Sequence, residues 1–151
     1  MVLEVQATAP DFTLVDHYGE EVTLSEVLKE QPVALVFFPL AFSGICTGEL
    51  CELRDNLALF ENSNVKLFGI SVDSKFSLAA WADAEGYGFQ LLSDFWPHGE
   101  VAKQYGVFIE ERGIATRATV IIGQDGKIVD AFENSPGEAR DFAAYEAAVQ
   151  K

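Results

Sequence analysis

Two apolar runs of strand length, separated by a helical pattern, constrain the fold of this chain more than any other feature. PVALVFF at 32–38 and VKLFGISV at 65–72 show little polar alternation, which is typical of strands that helices cover on both faces. Between them, an amphipathic helix is predicted from Thr47 to about Asn62, because apolar residues recur there at steps of three and four. Those residues are Leu50, Leu53, Leu57 and Phe60. A strand, a helix and a second strand therefore form the centre of the predicted fold.

The flanking segments continue this alternation. Residues 10–24 contain two apolar-alternating runs around DHYGE, which predicts a β-hairpin, and Ser25 is a suitable cap for a short helix at 25–30. Downstream, the pattern predicts a helix at 77–86 ended by Gly86, a short strand at 89–94, a helix at 99–106, a hairpin at 118–132 around GQDG, and a closing helix at 136–150. The sequence thus predicts an α/β domain spanning 1–151, with a mixed central β-sheet, helices on both faces and an N-terminal β-hairpin.

Length and charge restrict the classes of function. A chain of 151 residues is long enough to bury a core without disulfides or metals, and a net charge of −14 disfavours nucleic acids and anionic membranes as partners. His17 and His98 have no ligand spacing, so we expect no metal site. The N-terminus shows neither a secretory signal nor a membrane span, which predicts a cytoplasmic protein whose two cysteines are kept reduced.

Both cysteines lie in FFPLAFSGICTGELC at 37–51. Cys46 follows a predicted buried strand and a loop, at the start of a helix, where free backbone N–H groups and the helix dipole favour a thiolate. Pro39 would shield the loop from water, and the Ser43 hydroxyl could donate to a bound substrate oxygen. The alternative for Cys46 is a small buried hydrophobe without reactivity.

These residues carry a family resemblance. Pro39, Ser43 and Cys46 in PLAFSGIC match the Pro-x-x-x-Thr/Ser-x-x-Cys signature of peroxiredoxins, which are thiol peroxidases with a thioredoxin-like fold. APDFTL, LLSDFWPHGEVAKQYGV and ATRATVII resemble further segments of that family, in order along nearly the whole chain. The overall pattern is similar to the small alkyl hydroperoxide reductase E subgroup, whose members are often described as one-cysteine enzymes.

The resemblance implies roles for individual residues. Cys46 would be the peroxidatic cysteine, oxidised by hydrogen peroxide or an organic hydroperoxide to a sulfenic acid, and Arg117 would hold thiolate and peroxide. Glu49 would hold an arginine, with a solvated glutamate as the equal alternative. The resemblance further implies a homodimer, for which Trp96 is a candidate contact, and no cofactor. Phe42 and Trp96 hint at apolar hydroperoxides as substrates.

Cys51 leaves two interpretations open. Its spacing from Cys46 resembles that of the Q-type subgroup, in which the second thiol resolves the sulfenic acid as an intramolecular disulfide, reduced by thioredoxin or a glutaredoxin-like protein. Five helical steps give about 7.5 Å of rise and about 140° of rotation, so an intact helix cannot form this disulfide and its first turns would have to unwind. If Cys51 is structural, a small thiol such as mycothiol, with a mycoredoxin-type partner, would resolve Cys46 instead.

Rival functions on the same fold are a thiol-disulfide oxidoreductase and a non-enzymatic peroxide sensor or chaperone. The first expects Cys-x-x-Cys, and Glu49 occupies the position of the second cysteine. The second remains an alternative at this point.

Overall fold

A computed structural model describes residues 2–134, with their side chains except those at 45–47, 49 and 134. The closing helix predicted at 136–150 lies outside the described residues. Within them the helices are α1 Leu24–Leu28, α2 Gly44–Asp55, α3 Ala58–Asn62, α4 Lys75–Glu85 and α5 Glu100–Gln104. The strands are β1 Thr13–Asp16, β2 Glu21–Thr23, β3 Val33–Phe37, β4 Lys66–Ser71, β5 Gln90–Ser93, β6 Phe108–Ile109, β7 Ile114–Ala115, β8 Arg117–Ile122 and β9 Ile128–Asn134.

The main sheet is mixed and has seven strands in the order β2-β1-β5-β4-β3-β8-β9. The three strands β5, β4 and β3 run parallel, while β8 pairs antiparallel with β3, and β1 pairs antiparallel with both β2 and β5. β3 is buried along its whole length, which confirms the central strand predicted at 32–38. The predicted N-terminal hairpin is β1 and β2, and the predicted hairpin around GQDG is β8 and β9.

The side chains of the sheet separate two apolar clusters, one on each face. Val33, Leu35 and Phe37 of β3 belong to the cluster that contains residues of α1 and α5. Ala34 and Val36 point to the other face, where the cluster contains residues of α2, α3 and α4. Helices therefore cover both faces of the sheet, as predicted.

Three sequence-based predictions of local structure need correction, and one small sheet was not predicted. The helix predicted from Thr47 begins three residues earlier, at Gly44, and it is interrupted after Asp55 before α3 begins. Ser25 is not the cap of α1, because the helix begins at Leu24; Ser25 instead donates two hydrogen bonds of 2.9 Å to the Asp11 carboxylate. The small β6–β7 sheet was not predicted, since two-residue strands carry no periodic signal.

None of the helices among the described residues has the length and apolar content that a membrane crossing requires.

Candidate active site

One end of the sheet brings the predicted site residues together. After β3 the chain passes through buried Phe38 and Pro39 into an exposed turn and then enters α2. Phe37 pairs with Ala118 of antiparallel β8, so Arg117, the first residue of β8, lies at the same end of the sheet. The loop that leads to Cys46 and the start of β8 are therefore neighbours, as the sequence predicts.

Cys46 occupies the first turn of α2, two residues after its first residue, Gly44. Ser43 is the N-cap by its extended backbone (φ −73°, ψ 147°), but its side chain makes no capping hydrogen bond. The first amides of a helix have no intrahelical acceptor, and they carry the positive end of the helix dipole. The backbone therefore places Cys46 where a thiolate is favoured, although its side chain and that of Glu49 lie outside the described part of the chain.

The Ser43 hydroxyl is turned back on its own loop. It donates a hydrogen bond of 3.1 Å to the carbonyl oxygen of Leu40. Because a hydroxyl has a single proton, donation to a substrate oxygen would replace this bond. The role predicted for Ser43 therefore stays a prediction. The Leu40 carbonyl oxygen competes with a substrate oxygen for the hydroxyl proton.

Arg117 is only 2% exposed and is among the largest buried side chains of the described residues. A guanidinium is always charged in proteins, and burial of a charge is costly unless the charge is paired and hydrogen bonded. Arg117 therefore adds a buried positive group at the end of the sheet where the Cys46 loop lies.

Asp73 is a part of this region that sequence reasoning missed. It follows β4 at the same end of the sheet, and its Oδ2 accepts a hydrogen bond of 2.8 Å from the backbone N–H of Ala41 and one of 2.6 Å from the Ser71 hydroxyl. The polar stretch SVDS directly after a buried strand was the available signal, since short polar residues at the carboxyl ends of parallel strands often face a site.

Phe42 marks the tip of the loop. Its φ of +66° lies in the left-handed region that a bulky side chain rarely adopts, and such outliers cluster at functional sites. The ring is 58% exposed, with its centroid 6.2 Å from that of the fully buried Trp81. An aromatic surface therefore borders the entrance to α2.

Cys51 lies in the same helix but in different surroundings. Its half-buried sulfur is 3.4 Å from Glu85 Oε2, to which the thiol donates, and 3.7 Å from the Tyr87 hydroxyl oxygen. Burial, followed by the hydrogen bond with Cys51, raises the pKa of Tyr87 well above its usual value, so the phenol keeps its proton. Since the single thiol proton points to Glu85, Tyr87 donates to the sulfur.

Both cysteines lie within one continuous α2, so the intact helix keeps them apart by the rise and rotation given above. The structure agrees with the prediction that a disulfide between them needs local unwinding.

The two histidines are loop residues, as predicted. His17 is buried and its Nδ1 accepts a 3.2 Å hydrogen bond from the N–H of Leu91, whereas exposed His98 pairs with the carbonyl oxygen of Gly113 at 2.7 Å. Within residues 2–134, as far as side chains are described, no group of three potential metal ligands occurs.

The chain is similar to one protein family, and to individual proteins, over most of its length. The AhpC/TSA family model matches residues 5–131. Alkyl hydroperoxide reductase E of Mycobacterium tuberculosis is 51% identical over 140 residues, which are 93% of this chain and 92% of that protein. A chloroplastic 2-Cys peroxiredoxin of Hordeum vulgare is 35% identical over 87% of this chain and 67% of its own length.

Solved structures show the same fold. Peroxidoxin BcpB of Mycobacterium tuberculosis superimposes with a TM-score of 0.86 at 32% identity, covering 98% of this chain and 97% of its own. The reduced 2-Cys peroxiredoxin of Plasmodium vivax gives a TM-score of 0.87 at 29% identity, covering 98% and 81%. These neighbours confirm the predicted thioredoxin-like fold.

Proposed function

Because the chain belongs to the AhpC/TSA family and is a peroxiredoxin, a thiol peroxidase that reduces peroxides, we propose that Cys46 is its peroxidatic cysteine. The position of Cys46 in the first turn of α2, at the end of the sheet where Arg117 begins β8, is the observation that carries this proposal. The thiolate attacks one peroxide oxygen, an S–O bond forms and the O–O bond breaks. The other oxygen leaves as water or an alcohol, and Cys46 becomes a sulfenic acid.

The surrounding groups stabilise the negative charge that moves from sulfur to oxygen during the reaction. Arg117 and the first amides of α2 are donors fixed before the reaction, and such preorganised donors usually lower the barrier of an enzymatic reaction more than any other effect. Ser43 joins them when its hydroxyl exchanges the Leu40 carbonyl for a substrate oxygen. Pro39 is buried and keeps water from the base of the loop. Glu49 in the same helix is proposed to hold an arginine.

We further propose that Cys51 resolves the sulfenic acid. The Cys51 sulfur attacks the Cys46 sulfur, the S–S bond forms, the S–O bond breaks, and the hydroxyl leaves with the thiol proton as water. Thioredoxin or a glutaredoxin-like protein in the cytoplasm would reduce the resulting disulfide. The contacts of Cys51 with Tyr87 and Glu85 support this role, because they give the sulfur both a hydrogen-bond donor and a proton acceptor.

The packing of α2 indicates which part unwinds. Leu50 and Leu53 are fully buried and anchor the helix from residue 50 onward. Gly44 and Gly48, in contrast, have only open space where a Cβ would lie, and glycine is a weak helix former. Unwinding at these two glycines therefore removes no side-chain packing of their own, whereas movement of Cys51 would disturb the buried Leu50 and Leu53 beside it. Five extended residues span up to about 17 Å, enough for Cys46 to reach Cys51.

An intact-mass experiment tests this cycle. Reduced protein is treated with one equivalent of hydrogen peroxide; loss of two hydrogens is expected, whereas a persistent added oxygen would contradict resolution by Cys51. Cys51→Ser should retain the added oxygen, and Cys46→Ser should show neither change in mass. If wild-type Cys46 is not oxidised at all, the peroxidatic assignment itself fails.

The reductant is identified by turnover. Continuous peroxide consumption with thioredoxin supports the disulfide cycle, and consumption only with mycothiol and a mycoredoxin supports the one-cysteine alternative with a structural Cys51. Oxidation without turnover under any of these reductants would favour a peroxide sensor.

We also propose a homodimer, from an exposed aromatic surface whose groove is lined in part by Ser74 and Ser93. Phe76, Phe95 and Trp96 are 77%, 53% and 81% exposed, and they line one groove of about 540 Å³. Exposed aromatic residues in such a cluster are typical of protein contacts.

A further inference from the structure

The loop between β3 and α2 contains a backbone conformation that something has to hold in place. Phe42 has φ +66°, which leaves its Cβ crowded against its own backbone, and it lies two residues before α2 begins. No glycine occupies the position to relieve the strain. The direction in which the chain enters α2, and so the direction of its first amides, depends on this one residue staying in the left-handed region.

Asp73 contacts the residue next to the strained one. The N–H of Ala41 donates to Asp73 Oδ2 at 2.8 Å, and a hydrogen bond to a carboxylate is stronger than one to a neutral acceptor. This contact joins residues 32 positions apart in the chain, so it ties the loop to the end of β4 rather than to its own neighbours.

Asp73 is itself fixed to the sheet. The Ser71 hydroxyl donates to Asp73 Oδ2 at 2.6 Å, the N–H of Asp73 donates to the Ser71 oxygen at 3.2 Å, and the Ser93 hydroxyl donates to the Asp73 carbonyl oxygen at 2.7 Å. Ser71 ends β4 and Ser93 ends β5, so the carboxylate is held by the rigid part of the fold. It is a stable support for a strained loop.

We infer that Asp73 is a positioning residue of the peroxidase reaction. Through the N–H of Ala41 it keeps Phe42 in its left-handed conformation, and it thereby orients the first amides of α2 toward the reacting sulfur of Cys46. Asp73 acts through the loop, without contact to substrate. A small misplacement of the groups around a reacting atom is enough to lower a rate by orders of magnitude. The inference rests on the proposed role of Cys46.

The test uses the full chain in a Cys51→Ser background, so that only oxidation of Cys46 is observed. The rate of added oxygen is measured by rapid quenching and intact mass, together with the pH profile of Cys46 alkylation by iodoacetamide. Asp73→Ala should slow oxidation by about tenfold or more and move the alkylation profile to higher pH, because the amides no longer stabilise the thiolate. Asp73→Asn, which retains an acceptor for Ala41, should recover much of the rate.

Asp125→Ala is the matched control. The Asp125 carboxylate also accepts a backbone hydrogen bond in a turn, from Lys127 at 3.1 Å, but this turn lies between β8 and β9 at the opposite end of the sheet. Asp125→Ala should lower stability with an unchanged rate of Cys46 oxidation. If Asp73→Ala behaves in the same way, Asp73 is merely structural and the inference is overturned. Equal slowing by Asp73→Ala and Asp73→Asn would also overturn it, since the acceptor then makes no difference.

Phe42→Gly provides a second and independent measurement. Glycine adopts a positive φ without strain, so Asp73→Ala should lower the rate in the Phe42→Gly background by a clearly smaller factor than in its absence. An undiminished factor would contradict the coupling of Asp73 to Phe42. Should Asp73→Ala fail to fold, Asp73→Val in both backgrounds gives the same comparison, because valine also lacks an acceptor for the N–H of Ala41. Absence of oxidation in the Cys51→Ser parent would indicate failure of the Cys46 assignment, which is a different result.

Discussion

Tyr87→Phe isolates the hydrogen bond that Cys51 would receive in its proposed attack on the Cys46 sulfenic acid. If residues 44–49 unwind and Cys51 stays in place, the Tyr87 hydroxyl remains 3.7 Å from the Cys51 sulfur and stabilises its thiolate during disulfide formation. Phenylalanine removes only this oxygen. The ring keeps its edge-on contact with Trp81 at 5.0 Å and its stacking on Phe89 at 5.4 Å.

The size of the effect follows from one hydrogen bond to sulfur. Its net contribution is about 1 kcal/mol, which corresponds to about fivefold in rate. We therefore expect Tyr87→Phe to form the Cys46–Cys51 disulfide about five times more slowly than the wild type. The longer-lived sulfenic acid is exposed longer to a second peroxide, so conversion to sulfinic acid at excess peroxide should rise by a similar factor.

The assay is the rate at which intact mass falls by two hydrogens after one equivalent of peroxide. Tyr18→Phe is the control, because Tyr18 is 74% exposed and lies in the β1–β2 turn, and its rate should equal that of the wild type. Glu85→Gln should likewise slow disulfide formation, since an amide oxygen cannot take up the proton that the Cys51 thiol donates to Glu85 Oε2 at 3.4 Å. Faster disulfide formation in Tyr87→Phe would refute the reasoning, because it would show that Cys51 leaves its contacts before it attacks.

Two further predictions concern stability and assembly. Burial alone would raise the pKa of Asp16, but hydrogen bonds from the Gln90 side chain and from the N–H groups of Glu20 and Tyr18 together hold this pKa below its usual 3.8. Asp16 thus stabilises the fold above that pH. Asp16→Asn should lose about 1–3 kcal/mol in urea unfolding at pH 7, with the difference from the wild type disappearing as the pH falls through the lowered pKa; a constant difference would contradict this origin. Trp96→Ala should weaken self-association in sedimentation velocity, and identical behaviour of both proteins over all concentrations would count against the proposed dimer surface.

The sequence predicts those parts of the fold whose signal is local. β3 and β4 appear as apolar runs, Gly86 ends α4 in the left-handed conformation (φ 69°), and the two hairpins surround recognisable turns. The predictions fail where a residue distant in the sequence determines the local structure. Asp11 supplies the hydrogen bonds at the start of α1 from 14 positions away, and Asp73 supports the active-site loop from 32 positions away. The early start of α2 could have been predicted from Ser43, because serine is a good N-cap residue. Gly44 pointed the other way, because glycine is a weak helix former.

In the proposed cycle α2 has to meet two opposite requirements, which concern different ends of its first turns. Attack on peroxide needs the first turn of α2 to be fixed, which the bond between Asp73 and Ala41 does from the N-terminal side. Disulfide formation needs the same turn to open, and buried Leu50 limits that opening from the C-terminal side. The segment that changes is thus confined between residues 42 and 49. Loss of the Asp73–Ala41 bond should therefore slow oxidation and ease the opening that resolution needs, whereas Tyr87→Phe should slow resolution alone. In the double variant, Asp73→Ala should consequently offset part of the slower disulfide formation that Tyr87→Phe causes.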